Sequence, residues 1–371
     1  MQDQLKWPET KSAQSPSKNL SPPVEAGAAT QHSENGLQAR PLMKCEREKP
    51  VFIVGCPRSG TTLLYHSILS SGDFAIYPRE FGTFNFLAAR FPDLTSTAAR
   101  KRLLEFFIQS ENFTVTGLER SDVEPRVLSE CRNTGDFLRI VMEEMCRKQG
   151  ARRWAEKTPS HLLYIAEIKR VMPDALIVHI IRDGRDAALS MANFSGLRSC
   201  FWEFGGRLLA MGAEWKWSVQ KGRAAGKKIG RDYYELHYED LVQKPRETLS
   251  KLGEFIGHDL DYDRILRAGV GSVRNPETSF PPDASGPVGR WTTRYAPREL
   301  ARFEALIGDC LENLGYPLAT TLRQRRNAFL AKACGVLDVA QLELKHWIRL
   351  NTLLGRWTGW RRIRRVNDHA I

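Results

Sequence analysis

The chain has 371 residues, and 42% of them are hydrophobic, which is enough for a sizeable core and excludes wholesale disorder. Its formal net charge is +12. Most of that excess lies near the C-terminus, because residues 323–365 contain eleven Lys or Arg and only two acidic residues. The rest of the chain is nearly balanced in charge, so the net charge says little about the functional site.

The cysteines also restrict the class of protein. All seven stand singly, at positions 45, 56, 131, 146, 200, 310 and 334, and none belongs to a Cys-x-x-Cys pair or a His/Cys cluster. This pattern excludes a disulfide framework and a zinc site of the usual spacing, and it is typical of a reducing compartment. The N-terminus has no apolar h-region, and no apolar run is long enough to span a bilayer. We therefore expect a cytoplasmic protein without a signal peptide.

Composition divides the chain into three predicted regions. Residues 1–48 are rich in Ser, Pro, Gln, Glu and Lys, and we expect a disordered tail there. Residues 49–320 alternate apolar strand-like runs with helical patterns, which predicts an α/β domain. Residues 321–371 are predicted to form a basic amphipathic helical extension.

Strands and helices alternate along the predicted domain. Strands are predicted at 51–55, 153–157, 175–181 and 232–238. Helices are predicted at 61–70, 96–110, 134–149, from 159 or 160 to 172, from 183, at 205–225, from 245, and at 297–313. The alternation indicates a mostly parallel sheet covered on both faces. Ligands of such sheets bind beyond the carboxyl ends of the strands, so we expect the chemistry just after Gly55, Glu156, Ile181 and Leu236.

The stretch GCPRSGTT, from Gly55 to Thr62, has the G-x-x-x-x-G frame of a phosphate-binding loop between a strand and a helix. Its glycines permit a tight turn, and its backbone N–H groups then converge on a phosphate at the helix N-terminus. A Walker loop carries Lys after the second Gly to reach the β- and γ-phosphates, but Thr61 stands there. The loop therefore favours a smaller anionic group, with Arg58 as a candidate cation. An ordinary Gly-rich turn is the structural alternative.

Two stretches carry a resemblance to a known family. CPRSGTTLL resembles the 5′-phosphosulfate loop of the PAPS-dependent sulfotransferases, particularly the branch that contains the tyrosylprotein enzymes and many bacterial homologues. ALIVHIIRDGRDAALSM resembles the 3′-phosphate motif of that family, in which an Arg ends a central strand and a Ser follows eight residues later. In this sequence these residues are Arg182 and Ser190. The resemblance extends from Pro50 to Pro317.

The resemblance implies the sulfotransferase fold, an α/β fold with a P-loop-like parallel β-sheet flanked by helices, and PAPS as co-substrate. It assigns the 5′-phosphosulfate to a set of loop residues: Arg58, Ser59, Gly60, Thr61 and Thr62. Arg182 offers planar, bidentate recognition of the 3′-phosphate. The structural alternative for Arg182 is an ion pair with Asp183 or Asp186.

Sulfuryl transfer requires a base for the acceptor hydroxyl and positive charge on the leaving phosphate oxygen, and it requires no metal in principle. Glu80 resembles the catalytic glutamate of the tyrosylprotein branch. Its structural alternative is a helix N-terminal Glu, and His66 and His161 are alternative bases. Lys157, at a predicted strand end, and Arg58 are the candidates to stabilise the departing PAP. A solvated strand-end lysine is the alternative for Lys157.

Two further segments are assigned by the resemblance. Tyr238, at a predicted strand end, matches a Tyr that lies against the adenine or ribose region of PAPS, and a core aromatic is its alternative. GPVGRWTTRYAPREL resembles the C-terminal loop that closes over the 3′-phosphate and adenine, with Arg290 and Trp291 as contacts. The basic residues that some relatives carry before this loop are absent, because residues 281–285 read PPDAS.

The end of the chain is both basic and aromatic. Residues 343–366 can form an amphipathic helix, interrupted at Gly355 and Gly359. Peripheral attachment to the inner face of an anionic membrane is one interpretation. A helix that packs on the domain or at a homodimer contact is the other, and both stay open. We do not expect nucleic-acid binding, because nothing resembles a readout module.

Together these patterns predict a sulfotransferase that transfers the sulfuryl group of PAPS to an acceptor hydroxyl and releases PAP. Two alternatives stay open. A P-loop ATP-dependent kinase would use residues 180–183 as a Walker B strand, and a non-catalytic nucleotide-binding protein would not need Glu80 or Lys157. Segments 81–130 and 195–230 are expected to shape the acceptor pocket, but their composition does not distinguish a sugar, phenol, lipid or peptide acceptor.

Overall fold

The computed structural model describes residues 48–194, 202–274, 288–326 and 329–352. Four parallel strands form a sheet in the order β2-β1-β3-β4. The strands are β1 Val51–Val54, β2 Ala155–Lys157, β3 Leu176–Ile181 and β4 Tyr233–His237. In register, Val51 of β1 lies between Ala155 of β2 and Leu176 of β3. The predicted parallel sheet flanked by helices is confirmed, while the predicted tail at 1–48 lies almost wholly outside the described residues.

The two central strands are buried along their whole length, and all of their residues except His179 are apolar. Every residue of β1 and β3 is buried, as continuous runs such as VFIV and LIVHII require. Successive side chains of β1 point to opposite faces of the sheet: Phe52 and Val54 join one core cluster, whereas Val51 and Ile53 join the other. The sheet is therefore covered on both sides.

Sixteen α-helices connect and cover these strands in the described part of the chain. Those before β3 are α1 Thr61–Ser70, α2 Ala88–Arg90, α3 Thr97–Ile108, α4 Glu111–Thr114, α5 Arg120–Glu130, α6 Thr134–Gln149 and α7 Ile165–Val171. Those after β3 are α8 Gly184–Ala192, α9 Arg207–Ile229, α10 Tyr238–Gln243, α11 Pro245–Ile256, α12 Tyr262–Ala268, α13 Trp291–Arg294, α14 Pro297–Asn313, α15 Leu322–Arg326 and α16 Phe329–Asn351.

Residues at the helix starts explain several of these bounds. The side chains of Ser96 and Asn133 accept hydrogen bonds from backbone N–H groups at the starts of α3 and α6. Pro245 and Pro297 occupy the first positions of α11 and α14, where the missing N–H costs nothing. These local signals are why the helices predicted at 134–149 and 297–313 have the observed bounds.

The helix predicted from 159 or 160 to 172 has two parts. Residues Pro159–Tyr164 form a 3₁₀ turn, and α7 follows it. The side chain of His161, inside the turn, is bound by the Glu156 carboxylate. This side-chain bond ties the turn back to the strand, and a 3₁₀ turn of this kind is common at the start of an α-helix.

The last described helix packs on the body of the protein. Ala331, Gly335 and Leu342 of α16 are buried, and a Cβ added at Gly335 would lie 2.0 Å from Cδ1 of Leu306 on α14. α16 begins before the basic helix predicted at 343–366, and the part of that segment beyond 352 lies outside the described residues. No described helix is both long enough and apolar enough to cross a membrane.

Close packing of α9 on the sheet gives a stability test at Gly226. A Cβ added there would lie 2.3 Å from ring atoms of Tyr233, and the hydroxyl of that tyrosine is held by His179 and Glu235. We expect Gly226→Ala to lower the free energy of unfolding by about 1–3 kcal/mol, because the ring cannot move aside freely. Urea denaturation measures the change.

A matched control lies next to it in α9. Lys227 is exposed, and we expect Lys227→Ala to change the free energy of unfolding by less than about 0.5 kcal/mol. Ala is a better helix former than Gly by about 1 kcal/mol. A stabilised Gly226→Ala variant would therefore mean that helix propensity outweighs the contact with Tyr233, and the packing argument would be wrong.

Candidate functional site

The carboxyl edge of the sheet brings the predicted site residues together. The loop after β1 lies between the end of β2, at Lys157, and the end of β3, which Arg182 follows. Neighbouring strands are about 4.8 Å apart, and Arg182 lies four residues beyond Val178, which is in register with Ile53 and Lys157. The backbones at Lys157 and Arg182 are therefore roughly 16 Å apart, about 10 Å across two strands and about 13 Å along them, with the loop between them.

The loop from Gly55 to Gly60 is shaped by close approaches that exclude side chains. A Cβ at Gly55 would lie 2.7 Å from the carbonyl oxygen of Ile180, and one at Gly60 would lie 2.2 Å from the ring of Tyr238. Gly60 also has a φ of 93°, in the left-handed region that favours glycine. No side chain caps the N-terminus of α1 in the described structure, so its first amide groups are available to an anion.

Arg182 connects the loop to the two strands beside it. Its Nη1 donates to the carbonyl oxygen of Arg58 at 3.0 Å, and its guanidinium lies 4.9 Å from the ring centre of Tyr238. Its own carbonyl accepts a hydrogen bond of 3.0 Å from Nε1 of Trp215, which is fully buried in α9. The backbone and the side chain of Arg182 are thus both held in place.

A cavity of about 310 Å³ opens beside Arg182. Its lining consists of Arg58, Arg182, Asp186, Leu189, Ser190, Asn193, Phe194, Arg290 and Arg294. Four arginines thus surround it against one carboxylate. An excess of guanidinium groups around a small concave space is the arrangement that binds a phosphate.

The side chain of Arg58 points into this cavity. Its Nε donates to Oγ of Ser190 at 3.0 Å, and its guanidinium lies 5.4 Å from the ring centre of Phe194. Burial, together with the neighbouring charge of Arg182, lowers the pKa of Arg58. Two guanidinium groups forced close together are stabilised when an anion binds between them.

Asp186 holds the segment that contributes Arg290 to the cavity. Its carboxylate accepts hydrogen bonds from the backbone N–H groups of Gly289, at 2.7 Å, and Trp291, at 2.9 Å. Burial raises the pKa of Asp186. The ring of Trp291 lies on the guanidinium of Arg185, 3.7 Å from its centre, and does not line the cavity.

Arg185 is the ion-pair partner of Asp183, the carboxylate that directly follows Arg182. It is almost fully buried, and it donates to Asp183 through Nε and Nη2 and to Glu304 through Nη1. Asp183 also caps α8 by accepting from the N–H of Arg185. The carboxylates of Asp183 and Asp186 are therefore both engaged in holding backbone or Arg185.

Glu80 and Lys157 meet on the other side of the loop. Nζ of Lys157 lies 3.3 Å from Oε1 of Glu80. Lys157 is largely buried, whereas half of the Glu80 side chain is exposed, so the Glu80 carboxylate is the member of the pair that is accessible to solvent. Nδ2 of Asn112 donates to the carbonyl oxygen of Glu80 at 3.4 Å. The structure thus places a carboxylate and an ammonium group at one point of the sheet edge.

The segment that carries Glu80 is pinned to the end of β2. The N–H of Gly82 donates to Oγ1 of Thr158 at 3.4 Å, and the N–H of Phe84 donates to Nε2 of His161 at 3.3 Å. Because Nε2 accepts, Nδ1 of His161 carries the proton, and it lies 2.8 Å from the carboxylate of Glu156. Burial acts to raise the pKa of Glu156, but His161 and Thr158 outweigh it and hold that pKa below its usual range.

The two alternative bases have other contacts. Both ring nitrogens of the buried His161 are engaged as just described. Nδ1 of His66 accepts from the N–H of Ser272 at 2.9 Å. Burial and the charge of Lys157 lower the pKa of His66. Of the three predicted bases, Glu80 is the one in direct contact with Lys157.

Several lining residues were not predicted from the sequence. Asn193 and Phe194 follow Ser190 by three and four residues, and Arg294 follows Arg290 by four, so helical spacing was the signal that could have found them. In the loop itself Ser59 and Thr61 are buried and Thr62 is exposed. In the part of the chain that the structure describes, no three His, Cys, Asp or Glu side chains form a group able to hold a metal.

Comparisons with known proteins point to one family. The model of the Sulfotransferase family matches residues 50–262. A Caenorhabditis briggsae protein named "Putative protein-tyrosine sulfotransferase" is 25% identical over an alignment of 230 residues that covers 59% of this chain and 68% of that protein.

Two solved structures align with about three quarters of the chain. The sulfotransferase domain from the Synechococcus PCC 7002 olefin synthase is 20% identical, with a TM-score of 0.51, over 73% of this chain and 96% of the domain. The sulfotransferase domain from the curacin biosynthetic pathway is 17% identical, with a TM-score of 0.49, over 73% of this chain and 98% of the domain. At these identities the first likeness bears on the fold alone. Because the family model spans more than half of the chain, over the strands and loops that build this sheet edge, the protein belongs to the sulfotransferase family.

Proposed function

We propose that this protein transfers the sulfuryl group of PAPS to the hydroxyl group of an acceptor and releases PAP. One observation carries the proposal. A four-arginine cavity and a carboxylate–ammonium pair lie at the same sheet edge, on opposite sides of one phosphate-binding loop. PAPS has a 3′-phosphate at one end and a reactive phosphosulfate at the other. The cavity suits the 3′-phosphate, and the carboxylate–ammonium pair suits the end from which the sulfuryl group is transferred.

The cavity supplies the nucleotide-binding side. Ser190, Arg58, Arg182 and Arg290 would hold the 3′-phosphate, because their hydroxyl and guanidinium groups are the donors that phosphate oxygens accept from. The N–H groups of Gly60, Thr61 and Thr62 at the N-terminus of α1 would hold the 5′-phosphate, with the side chain of Ser59 beside them. The N–H of Ser59 itself donates to the carbonyl oxygen of Cys56 at 3.2 Å. With Thr61 in place of the Walker lysine, the loop suits a ligand that has no γ-phosphate.

Tyr238 and Trp291 pack against the residues of the nucleotide-binding cavity. The ring of Tyr238 is buried between Gly60 and the guanidinium of Arg182, so it sets the distance between the loop and the cavity. Trp291 stacks on Arg185, and its backbone binds Asp186. The half-exposed ring of Phe194, which lines the cavity, is the aromatic face best placed to stack on adenine.

The Glu80–Lys157 pair supplies the catalytic groups. Glu80 would accept the proton of the acceptor hydroxyl as its oxygen bonds to sulfur, and the bond from sulfur to the 5′-phosphate oxygen breaks. Lys157 would stabilise the negative charge that develops on that phosphate oxygen. Both groups face one point, since 3.3 Å separates their charged atoms.

Arg58 was predicted to serve in both nucleotide binding and catalysis. Its contacts with Ser190 and Phe194 support the nucleotide-binding role. Its contribution to the leaving oxygen stays a prediction.

The kinase alternative has less support. The carboxylate of Asp183, which would bind Mg²⁺ in a Walker B strand, is engaged by Arg185 and by the start of α8. The acceptor of the proposed reaction is a hydroxyl compound. The name of the Caenorhabditis briggsae relative makes peptidyl tyrosine the first acceptor to try.

Ligand preference is tested by titration calorimetry. We expect PAP to bind without Mg²⁺ and Mg-ATP to bind at least tenfold more weakly. Arg182→Gln should weaken PAP binding by about tenfold or more, since a charge-assisted hydrogen bond contributes about 1.5–3 kcal/mol. Arg298→Gln, an exposed position on α14 outside the cavity, is the matched control and should leave PAP affinity unchanged. Tighter binding of Mg-ATP than of PAP would refute the proposal.

The role of Glu80 is tested by turnover with labelled PAPS and a panel of peptides, phenols, sugars and alcohols. We expect Glu80→Gln to lower kcat by about 10²–10⁴-fold, because a positioned base contributes that much. PAP affinity should stay unchanged. Glu111→Gln, which removes the partner of Arg79 in the same region, should retain turnover. Full turnover of Glu80→Gln would exclude this residue as the base. That outcome would not bear on the proposed PAP binding, which the calorimetric comparison tests separately.

A further inference from the structure

The last described helix, α16, is apolar on two opposite faces. Ala331, Gly335 and Leu342 point inward and are buried. This inner face packs against α9 and α14, as the close approach of Gly335 to Leu306 shows. A helix on the surface of a globular protein normally carries polar side chains opposite its buried stripe.

The opposite face of α16 carries large apolar side chains instead. We define this outer face by its exposed residues: Phe329, Leu330, Val336, Leu337, Leu344, Trp347 and Leu350. They supply seven of the thirteen exposed large hydrophobic side chains in the described part of the chain, so the exposure is concentrated on one element. Their exposed fractions run from 48% to 76%. An apolar surface of this kind marks a place of attachment.

The orientation of α16 is fixed, so the outer face stays outward. Nε1 of Trp217 on α9 donates to Glu343 at 2.9 Å, and Lys221 pairs with the same carboxylate at 2.7 Å. Gln341 exchanges two hydrogen bonds with the backbone of Trp202, at 3.2 and 3.0 Å. Turning the helix to bury its outer face would break all four contacts.

Charge decides between two occupants of this face. Residues 323–365 carry eleven Lys or Arg against two acidic residues, a net charge of +9. A second copy of the chain would bring another +9 against it, whereas an anionic lipid surface would be attracted. The sequence directly after α16 also contains Trp357, Trp360 and a run of arginines from Arg361, residue types that bind at the boundary between headgroups and acyl chains.

We propose that the outer face of α16 docks the protein on an anionic membrane surface. The helix lies along the surface, because its inner face is packed on α9 and α14. Its apolar side chains enter the boundary between headgroups and acyl chains, and the cations bind lipid headgroups. Docking would keep the whole catalytic body at the membrane, independently of which acceptor it uses.

Co-sedimentation of the full chain with vesicles tests this proposal. We expect strong binding to vesicles of phosphatidylcholine and phosphatidylglycerol in equal amounts, weak binding to phosphatidylcholine alone, and a loss of binding as salt increases. The double variant Leu337→Glu, Leu344→Glu should lower the affinity by about tenfold or more, because it replaces two exposed leucines that would enter the membrane with charged residues. The matched control is Leu266→Glu on α12, a leucine that is 42% exposed and should not alter binding.

A second variant keeps the test valid if the double variant is unstable. Arg361→Gln with Arg362→Gln leaves α16 intact and should weaken binding to the anionic vesicles and reduce its dependence on salt. Absence of binding by the unaltered chain, equal binding to both vesicle types, or unchanged binding by the variants would overturn the proposal. A stable dimer in light scattering that Leu337→Glu, Leu344→Glu splits, without vesicle binding by the unaltered chain, would assign the face to a second copy instead.

Discussion

The parallel pairing of β1 with β3 is the constraint on which the site depends. It places the loop after β1 beside the turn that begins at Arg182, although these two segments are far apart in the sequence. Arg182 then secures the arrangement by donating to the carbonyl oxygen of Arg58, and Trp215 holds Arg182 from behind. The ring of Tyr238 fills the space between Gly60 and Arg182, so a larger residue at Gly60 would force the two apart.

The opposite side of the loop depends on a buried polar group. Glu156 and His161 pair inside the fold, and His161 accepts the N–H of Phe84, which fixes the segment that carries Glu80. A buried carboxylate is stable only when it is hydrogen-bonded, and here the partners that satisfy it also position the segment 80–85. Two networks that do not share a residue thus deliver the nucleotide-binding and the catalytic groups to one edge.

The sequence allowed the local parts of this arrangement to be predicted, because each is encoded within a few residues. VFIV followed by GCPRSGTT specifies a strand, a turn and a helix, and LIVHII followed by Arg182 does the same. Contacts between distant segments could not be read in this way. Asp186 binds backbone N–H groups that lie more than a hundred residues away, and the ring of Trp291 lies on Arg185 because of that attachment.

The exposed face of helix α16 could not be predicted from the sequence for the same reason. Its sequence indicates an amphipathic basic helix, but it does not show which apolar residues are covered. Only the position of α9 and α14 reveals that Gly335 and Leu342 face inward while Leu337 and Leu344 face outward. The interpretation of the C-terminal region as a surface for attachment therefore needed both the charge pattern and the packing.

A structure of the protein with PAP bound tests the central claim most directly. We expect the 3′-phosphate beside Ser190 and the guanidinium groups of Arg58 and Arg182, with the 5′-phosphate on the backbone amides between Ser59 and Thr62. The carboxylate of Glu80 and the ammonium group of Lys157 should face the position of the transferred group. PAP bound elsewhere, or with its phosphates away from both the loop after β1 and Arg182, would contradict the account.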